Sequence, residues 1–184
     1  MTADQIRILD KYCKERFIDL VPNQNSFGHM ERWIKHEEYR HLAEAPDYVD
    51  TAWGKRRWHT LYPAEPGSIT LIAELCDELL PNFSSPYFNV GCDETVELCN
   101  GRSKALCEEI GSNRVYLDYL LKIHALAKKH GKTMMFWADM VQNHPDALKE
   151  LPQDVIPLLW GYRAEHPFDK YCKAVAETGC RFYV

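Results

Sequence analysis

The sequence predicts an α/β fold of parallel strands and helices, of the (β/α)8 TIM-barrel type. Three observations predict it. Strand, loop and helix patterns alternate along the 184 residues, hairpin signals between the strands are missing, and polar or aromatic residues follow directly after the strands. Five strands are predicted where a closed barrel needs eight. The chain is therefore expected to be one domain, residues 1–184, that forms the middle or a fragment of a barrel.

The first elements follow from capping and hydrophobic periodicity. Thr2 or Asp4 can cap a helix whose apolar residues recur at helical spacing. Residues 17–21 form the first predicted strand, which Pro22 ends. A polar loop then leads into a long, aromatic-rich connection that extends to about Pro66. Such length inside a compact domain usually indicates function.

The later elements alternate regularly between helix and strand. One helix begins with Ser68 as its cap and ends before Pro81. Helices over residues 112–130 and 167–178 are each closed by a glycine, the residue that most easily adopts the conformation of a helix C-terminus. The remaining strands are predicted at residues 87–91, 133–137, 155–160 and 181–184.

The composition argues against several classes of function. The net charge is −5 and the pI is about 5.9, so nucleic-acid binding is not expected. The chain starts with an amphipathic helix and contains no long apolar run, so membrane association is not expected either. The seven cysteines and the histidines lack metal-ligand spacing. We therefore expect no metal, no cofactor, and reduced thiols in a cytoplasmic protein.

Two consecutive carboxylates, Asp93 and Glu94, follow the strand at residues 87–91. Because side chains alternate along a strand, Phe88 and Val90 should face the helices and the intervening residues should face the lumen. Repulsion disfavours ionising both acids, so one carboxyl can stay protonated near neutrality, as a general acid must. An exposed acidic pair at a helix N-terminus would explain the motif equally well. The motif alone does not separate the two interpretations.

Residues 89–94, Asn-Val-Gly-Cys-Asp-Glu, resemble the signature His-x-Gly-Gly-Asp-Glu of glycoside hydrolase family 20, which ends the fourth barrel strand. Asn89 and Cys92 depart from that signature. The resemblance implies a partial barrel that covers about strands 3 to 7. Further segments match in family order, namely the histidine loop at 26–29, the helix at 74–81, and the tryptophan-bearing strand ends at 136–139 and 159–161.

This resemblance implies a reaction and its catalytic residues. Family members are retaining exo-β-N-acetylhexosaminidases that act on terminal GlcNAc or GalNAc, and the acetamido oxygen of the substrate is itself the nucleophile. By similarity, Glu94 would be the proton donor and later the base. Asp93 would orient the acetamido group, and His29 would hydrogen-bond Glu94. Glycans containing N-acetylhexosamine are the expected partners, while the oligomeric state is left open.

The resemblance also implies substrate-binding residues. Trp137 and Trp160 would form walls of the acetamido pocket, although each taken alone would be assigned to the core. Asp139 would hydrogen-bond sugar hydroxyls, or cap its own loop. Asn25 and Tyr162 lie where a polar group can contact substrate, and an ordinary turn or solvated loop explains each of them as well.

The implied architecture leaves strands missing on both sides, so the isolated 184-residue chain is expected to be inactive or very weak. Two further functions stay open. One is another retaining glycosidase on a (β/α)8 barrel that uses two distant carboxylates. The other is a non-catalytic carbohydrate-binding barrel, in which Asn89 and Cys92 mark a decayed motif. A scaffold protein would leave the carboxylate pair unexplained.

Overall fold

The structure is a computed structural model that describes residues 1–142 and 145–184. It has α/β architecture, as the sequence predicts. The helices are α1 (Ala3–Lys14), α2 (Glu31–Ile34), α3 (Pro66–Leu79), α4 (Lys104–Ile110), α5 (Ser112–Lys129), α6 (Asp139–Gln142) and α7 (Phe168–Ala176). The strands are β1 (Val49–Thr51), β2 (Gly54–Arg56), β3 (Tyr87–Asn89), β4 (Thr133–Trp137) and β5 (Ile156–Leu158). Short 3₁₀ helices span Glu37–Leu42, Leu80–Asn82 and Pro145–Glu150.

Helix α1 begins where local chemistry predicts. The Thr2 hydroxyl accepts a hydrogen bond from the backbone N–H of Gln5, and the Gln5 side chain accepts one from the backbone N–H of Thr2. This reciprocal pair satisfies two donors that a helix start leaves free. The prediction of a cap at Thr2 is confirmed. The first predicted strand, residues 17–21, is wrong, because Phe17 turns with φ +57° and is fully exposed.

Strands β3, β4 and β5 form a parallel sheet in that order, which confirms three of the predicted strands, β4 at its predicted bounds and the other two in shortened form. Isolated bridges extend both edges: Asn23 pairs with Asn89, and Tyr183 pairs with Leu158. The last predicted strand, residues 181–184, is therefore reduced to a single bridge, and the bridge at Asn23 lies after the first predicted strand. The five segments lie side by side in chain order, as in a barrel. The described residues form an open sheet, so the partial barrel stays a prediction.

The two faces of this sheet pack differently. Phe88 and Val90 are fully buried on the face that carries the helices, as strand alternation predicts. The opposite face carries a second apolar cluster. Its members are Val21, Tyr87, Met135, Trp137, Ile156 and Leu158. Trp137 therefore lies on the sheet face that points away from the helices.

The long connection between residues 29 and 66 contains an antiparallel hairpin, β1–β2, so the expectation of a fold without hairpins is wrong. Two buried carboxylates anchor the connection to the loop after β3. Glu97 accepts hydrogen bonds from the backbone N–H groups of His59 and Thr60. Glu44 accepts from the backbone and the hydroxyl of Ser103. These contacts join segments that are far apart in sequence and fix the connection over the end of the sheet.

One disulfide lies beside this anchor. Cys99 and Cys107 are bonded, with their Cα atoms 5.6 Å apart, so the prediction of reduced thiols is wrong for this pair. The turn that leads into α4 brings the two residues together, and spacing alone did not reveal this. Among the described helices, none is both long and apolar enough to span a bilayer.

Candidate active site

The carboxylate pair sits on a strained loop that follows β3. Gly91, Cys92 and Glu94 adopt φ values of +67°, +65° and +50°. Left-handed backbone is disfavoured for residues other than glycine, and such conformations cluster at functional sites. No helix begins directly after the pair, because the next one starts at Lys104. The alternative of an acidic pair at a helix N-terminus is therefore wrong.

His29 bridges both acids. Its Nε2 lies 3.3 Å from Oδ2 of Asp93 and 3.2 Å from Oε2 of Glu94. The backbone of His29 is itself in the left-handed region, with φ +58°. The loops approach so closely that a Cβ on Gly28 would overlap the backbone carbonyl oxygen of Asp93. The predicted catalytic residues Glu94, Asp93 and His29 are thus brought together.

Helix α5 holds both loops in place. The Tyr116 hydroxyl donates to the carbonyl of Cys92 at 2.8 Å, and the Tyr119 hydroxyl donates to the carbonyl of Ser26 at 3.1 Å. Both tyrosines are buried on the same face of the helix. One rigid element therefore supports the acid loop and the histidine loop.

The site raises the pKa values of His29 and Glu94. The hydrogen bond to Asp93 raises the pKa of His29 above its ordinary value, against the opposing effect of burial. Burial raises the pKa of Glu94, while the positive charge of His29 acts in the opposite direction. A carboxyl with a raised pKa keeps its proton closer to neutrality, which suits a general acid.

A second histidine lies behind the first. His59 Nε2 is 3.1 Å from the backbone carbonyl oxygen of Glu94, and its Nδ1 is 3.3 Å from Oε2 of Glu31. The rings of His29 and His59 meet edge to face, with centroids 4.6 Å apart. Burial lowers the pKa of His59. The His59 ring thus packs directly against the strained backbone of Glu94, and the backbone N–H of His29 also points to its Nε2 at 3.4 Å.

Asp139 supports Glu94 from the other side. Its Oδ2 accepts a hydrogen bond from the backbone N–H of Glu94 at 3.0 Å. Burial raises the pKa of Asp139 to about 6. Among the described residues, Asp93 Oδ1 and His166 Nε2 are buried without a hydrogen-bond partner, whereas the Trp160 side chain lies close enough to Asp139 to act against this rise in pKa. Unpaired buried polar atoms are costly, and at a cavity they indicate where a ligand can bind.

A cavity of about 780 Å³ opens beside Glu94. Four of the predicted site residues line it, namely Glu94, Asp139, Trp160 and Tyr162. Tyr162 is exposed and its ring lies 5.2 Å from that of Trp160. The other four predicted site residues, Asp93, His29, Trp137 and Asn25, are not among the lining residues. Trp137 lies in the apolar cluster on the sheet, and Asn25 backs onto Gly91, so their contact with substrate stays a prediction.

Sequence reasoning missed several residues of this site. Trp53 and His166 also line the cavity, and His59, Glu31 and Glu97 form the layer behind His29. The aromatic-rich stretch around Trp53 and His59 was the available signal. Two groups of described residues could hold a metal ion: His29 with Glu31 and His59, and His29 with Asp93 and Glu94. The expectation that the protein uses no metal stays a prediction.

Comparison with known proteins decides the family. The profile described as "Glycosyl hydrolase family 20, catalytic domain" matches residues 1–182. The chain belongs to glycosyl hydrolase family 20. Hexosaminidase D of Bos taurus is 29% identical over 157 residues, which cover 80% of this chain and 43% of that protein. The beta-hexosaminidase of Porphyromonas gingivalis is 26% identical over 153 residues, covering 77% of this chain and 19% of that protein.

Solved family 20 structures share the fold. The chitobiase of Flavobacterium johnsoniae superimposes with a TM-score of 0.77 at 23% identity, over 99% of this chain and 28% of that one. An exo beta-N-acetylglucosaminidase of Vibrio harveyi, solved with N-acetylglucosamine, gives a TM-score of 0.75 at 24% identity, over 98% of this chain and 28% of that one. The chain thus spans less than half the length of these relatives.

The structure explains the two departures from the family 20 signature. Cys92 occupies the fourth signature position, where the family has glycine, and its backbone is left-handed. Its thiol is fully buried and donates to the carbonyl of Val90. Asn89 occupies the histidine position, and its side-chain oxygen accepts a hydrogen bond from the backbone N–H of Gly91 at 2.9 Å. Both substitutes hold the loop and leave the acid pair in place.

We expect Glu97 to make the protein less stable as pH rises through neutrality. Burial raises the pKa of Glu97 from 4.5 to about 7, so between these values the folded state holds a proton that the unfolded state has released. Its stabilising contribution is therefore complete below pH 4.5 and is lost as pH rises through 7, a difference of about 3 kcal/mol. Urea unfolding of wild type and Glu97→Gln at pH 4.5 and 8 measures this change in the free energy of unfolding.

The variant, which resembles the protonated acid, should lose less stability than wild type between the two pH values. Glu78→Gln removes an exposed carboxylate from α3 and should follow the wild type. Equal pH dependence in wild type and Glu97→Gln would show that the buried carboxyl is ionised throughout this range.

Proposed function

We propose that the protein containing this chain is a retaining exo-β-N-acetylhexosaminidase that acts on terminal GlcNAc or GalNAc by substrate-assisted catalysis. The observation that carries the proposal is the acid pair Asp93–Glu94, bridged by His29 on a strained loop, of which Glu94 lines a cavity together with Trp160. Membership of family 20 supports it.

Glu94 is assigned the proton transfers. Its raised pKa keeps the carboxyl protonated closer to neutrality, so it can protonate the leaving oxygen. Once ionised, it can accept a proton from the water that completes the reaction. His29 remains beside it in both steps, and the charge of an imidazolium stabilises the ionised form of Glu94.

Asp93 is assigned to the acetamido group of the substrate. In retaining enzymes with a protein nucleophile, the two carboxyl groups lie about 5–5.5 Å apart across the substrate. The oxygens of Asp93 and Glu94 lie within 4.8 Å of each other and share one histidine nitrogen. His29 Nε2, and not open space for a sugar ring, lies between these two oxygens. Asp93 can instead orient the acetamido N–H, so that the acetamido oxygen attacks the anomeric carbon from within the same molecule.

The test separates this reaction from the alternatives. The intact protein should hydrolyse an aryl β-N-acetylglucosaminide with retention, and a thiazoline mimic of the cyclic intermediate should inhibit it strongly. A glycosidase with its own nucleophile would retain configuration and bind the thiazoline weakly. A non-catalytic carbohydrate-binding barrel would bind sugar and show no turnover.

The isolated 184-residue chain is the matching control. We propose that it shows little or no turnover, because the strands and loops that close a barrel lie outside it. Turnover by this chain at the rate of the intact protein would contradict the proposal that the complete barrel is needed, without contradicting the reaction.

A further inference from the structure

We propose that Trp53 forms the binding platform for the leaving-group sugar, the pyranose on the reducing side of the bond that is cleaved. This inference rests on the proposed function and adds a specificity-determining residue to it. The ligand class is a β-linked sugar ring with an apolar face that can stack on an indole.

Trp53 is positioned by the hairpin turn between β1 and β2. The Thr51 hydroxyl accepts a hydrogen bond from the backbone N–H of Trp53 at 3.1 Å and donates to the carbonyl of Gly54 at 2.7 Å. Gly54, directly after Trp53, has left-handed backbone with φ +81°, as the last residue of a three-residue hairpin loop does. The turn therefore presents the indole on a constrained support.

The three tryptophans of the long connection differ in what they contact. Trp58 donates its indole N–H to the carbonyl of Pro46, and Arg57 stacks on its ring. Trp33 packs against Tyr39 and the core. Trp53 is 40% exposed, and its indole N–H has no acceptor among the residues that the structure describes. The contacts of Trp58 and Trp33 show that these two residues stabilise the fold. The exposed face of Trp53 makes no such contribution.

The exposed indole lies on the cavity that contains Glu94. The ring of Trp53 meets that of His59 edge to face at 5.7 Å, and His59 contacts the Glu94 carbonyl. Asp139 holds the backbone N–H of Glu94. The backbone of Glu94 is thus contacted by Asp139 at its N–H and by His59 at its carbonyl. Trp53 lies on the side of Glu94 where His59 is, which is called the His59 side below.

This arrangement divides the cavity between the two halves of a substrate. Asp139 and the indole N–H of Trp160 line the cavity and offer polar partners to the sugar whose bond is cleaved. The acid Glu94 must lie at the glycosidic oxygen. A sugar beyond that oxygen then extends toward the His59 side, where an exposed aromatic face is available. Aromatic faces bind apolar surfaces with a large contact area.

The experiment compares two substrates in the intact protein. One is N,N′-diacetylchitobiose, whose leaving group is a sugar ring. The other is methyl β-N-acetylglucosaminide, whose leaving group equally requires a proton from the acid but has no ring to stack. For Trp53→Ala we expect kcat/KM on the disaccharide to fall about tenfold. The methyl glycoside should change less than about twofold, and the pH profile should be unchanged.

Tyr48→Ala is the matched control, because Tyr48 is an exposed aromatic next to β1 that does not line the cavity. It should leave both substrates unaffected. An equal loss on both substrates would overturn the proposal and show that Trp53 acts by positioning the acid. No loss on either would overturn it as well. If the wild type cleaves neither substrate, the proposed function itself fails.

Discussion

Replacing Glu94 by Gln should lower kcat by about 10³-fold on substrates with a sugar leaving group, within the range of general acid–base catalysis. Glutamine keeps the shape of the side chain and can still contact His29, but it can neither give up nor accept the proton. The loss should be smaller on an activated aryl glycoside, because its leaving group needs less protonation. Steady-state kinetics on both substrate types measures the difference.

The pH profile adds a second readout. In the wild type, activity should fall on the alkaline side as Glu94, with its raised pKa, loses its proton. That limb should be missing from the residual activity of Glu94→Gln. Glu109→Gln, an exposed change on α4, is the control and should match wild type. If the kcat of Glu94→Gln lies within tenfold of the wild-type value, another group must be the acid. Asp139 is the adjacent carboxyl.

Gly28→Ala should damage both stability and activity. The added Cβ would overlap the carbonyl oxygen of Asp93, which is backbone and cannot rotate away. The two loops must separate, at a cost of about 1–3 kcal/mol in unfolding free energy. Because His29 is the next residue, its contact with Glu94 is lost too. A displacement of about 1 Å at such a site can lower the rate about 10²-fold. Urea unfolding and kcat measure the two effects.

Gly111→Ala separates these effects from general destabilisation. Gly111 has φ +87° and open space around its Cα, and it lies between α4 and α5. Alanine there should reduce stability through backbone strain and leave kcat unchanged. If Gly28→Ala retains wild-type kcat, the close approach of the two loops is not what positions His29.

Local chemistry made part of this fold predictable. The start of α1 depends on Thr2 and Gln5, and the end of α5 depends on Gly131, all of which act within a few residues. The strand at 17–21 failed because Phe17 and Ile18 are exposed, and pairing with β3 occurs only at Asn23. Strand existence depends on partners that are distant in sequence.

The candidate site divides in the same way. Asp93, Glu94 and His29 were found because a short motif and its loop resemble a known family. His59, Glu97 and Trp53 were missed because their roles arise from contacts across the long connection, and no spacing pattern encodes such contacts. The hairpin that presents Trp53 was missed as well, since its Ala-Trp-Gly turn lacks the usual Asn-Gly or Asp-Gly signal.

The two tyrosines of α5 have a consequence for motion at the site. Tyr116 and Tyr119 are three residues apart, so the helix separates their attachment points by about 4.5 Å along its axis. Because an α-helix stretches very little, it keeps the distance between its two contacts with the loops nearly constant. We therefore expect the acid loop and the histidine loop to move together, so that the distance between Glu94 and His29 changes less than it would between two independent loops.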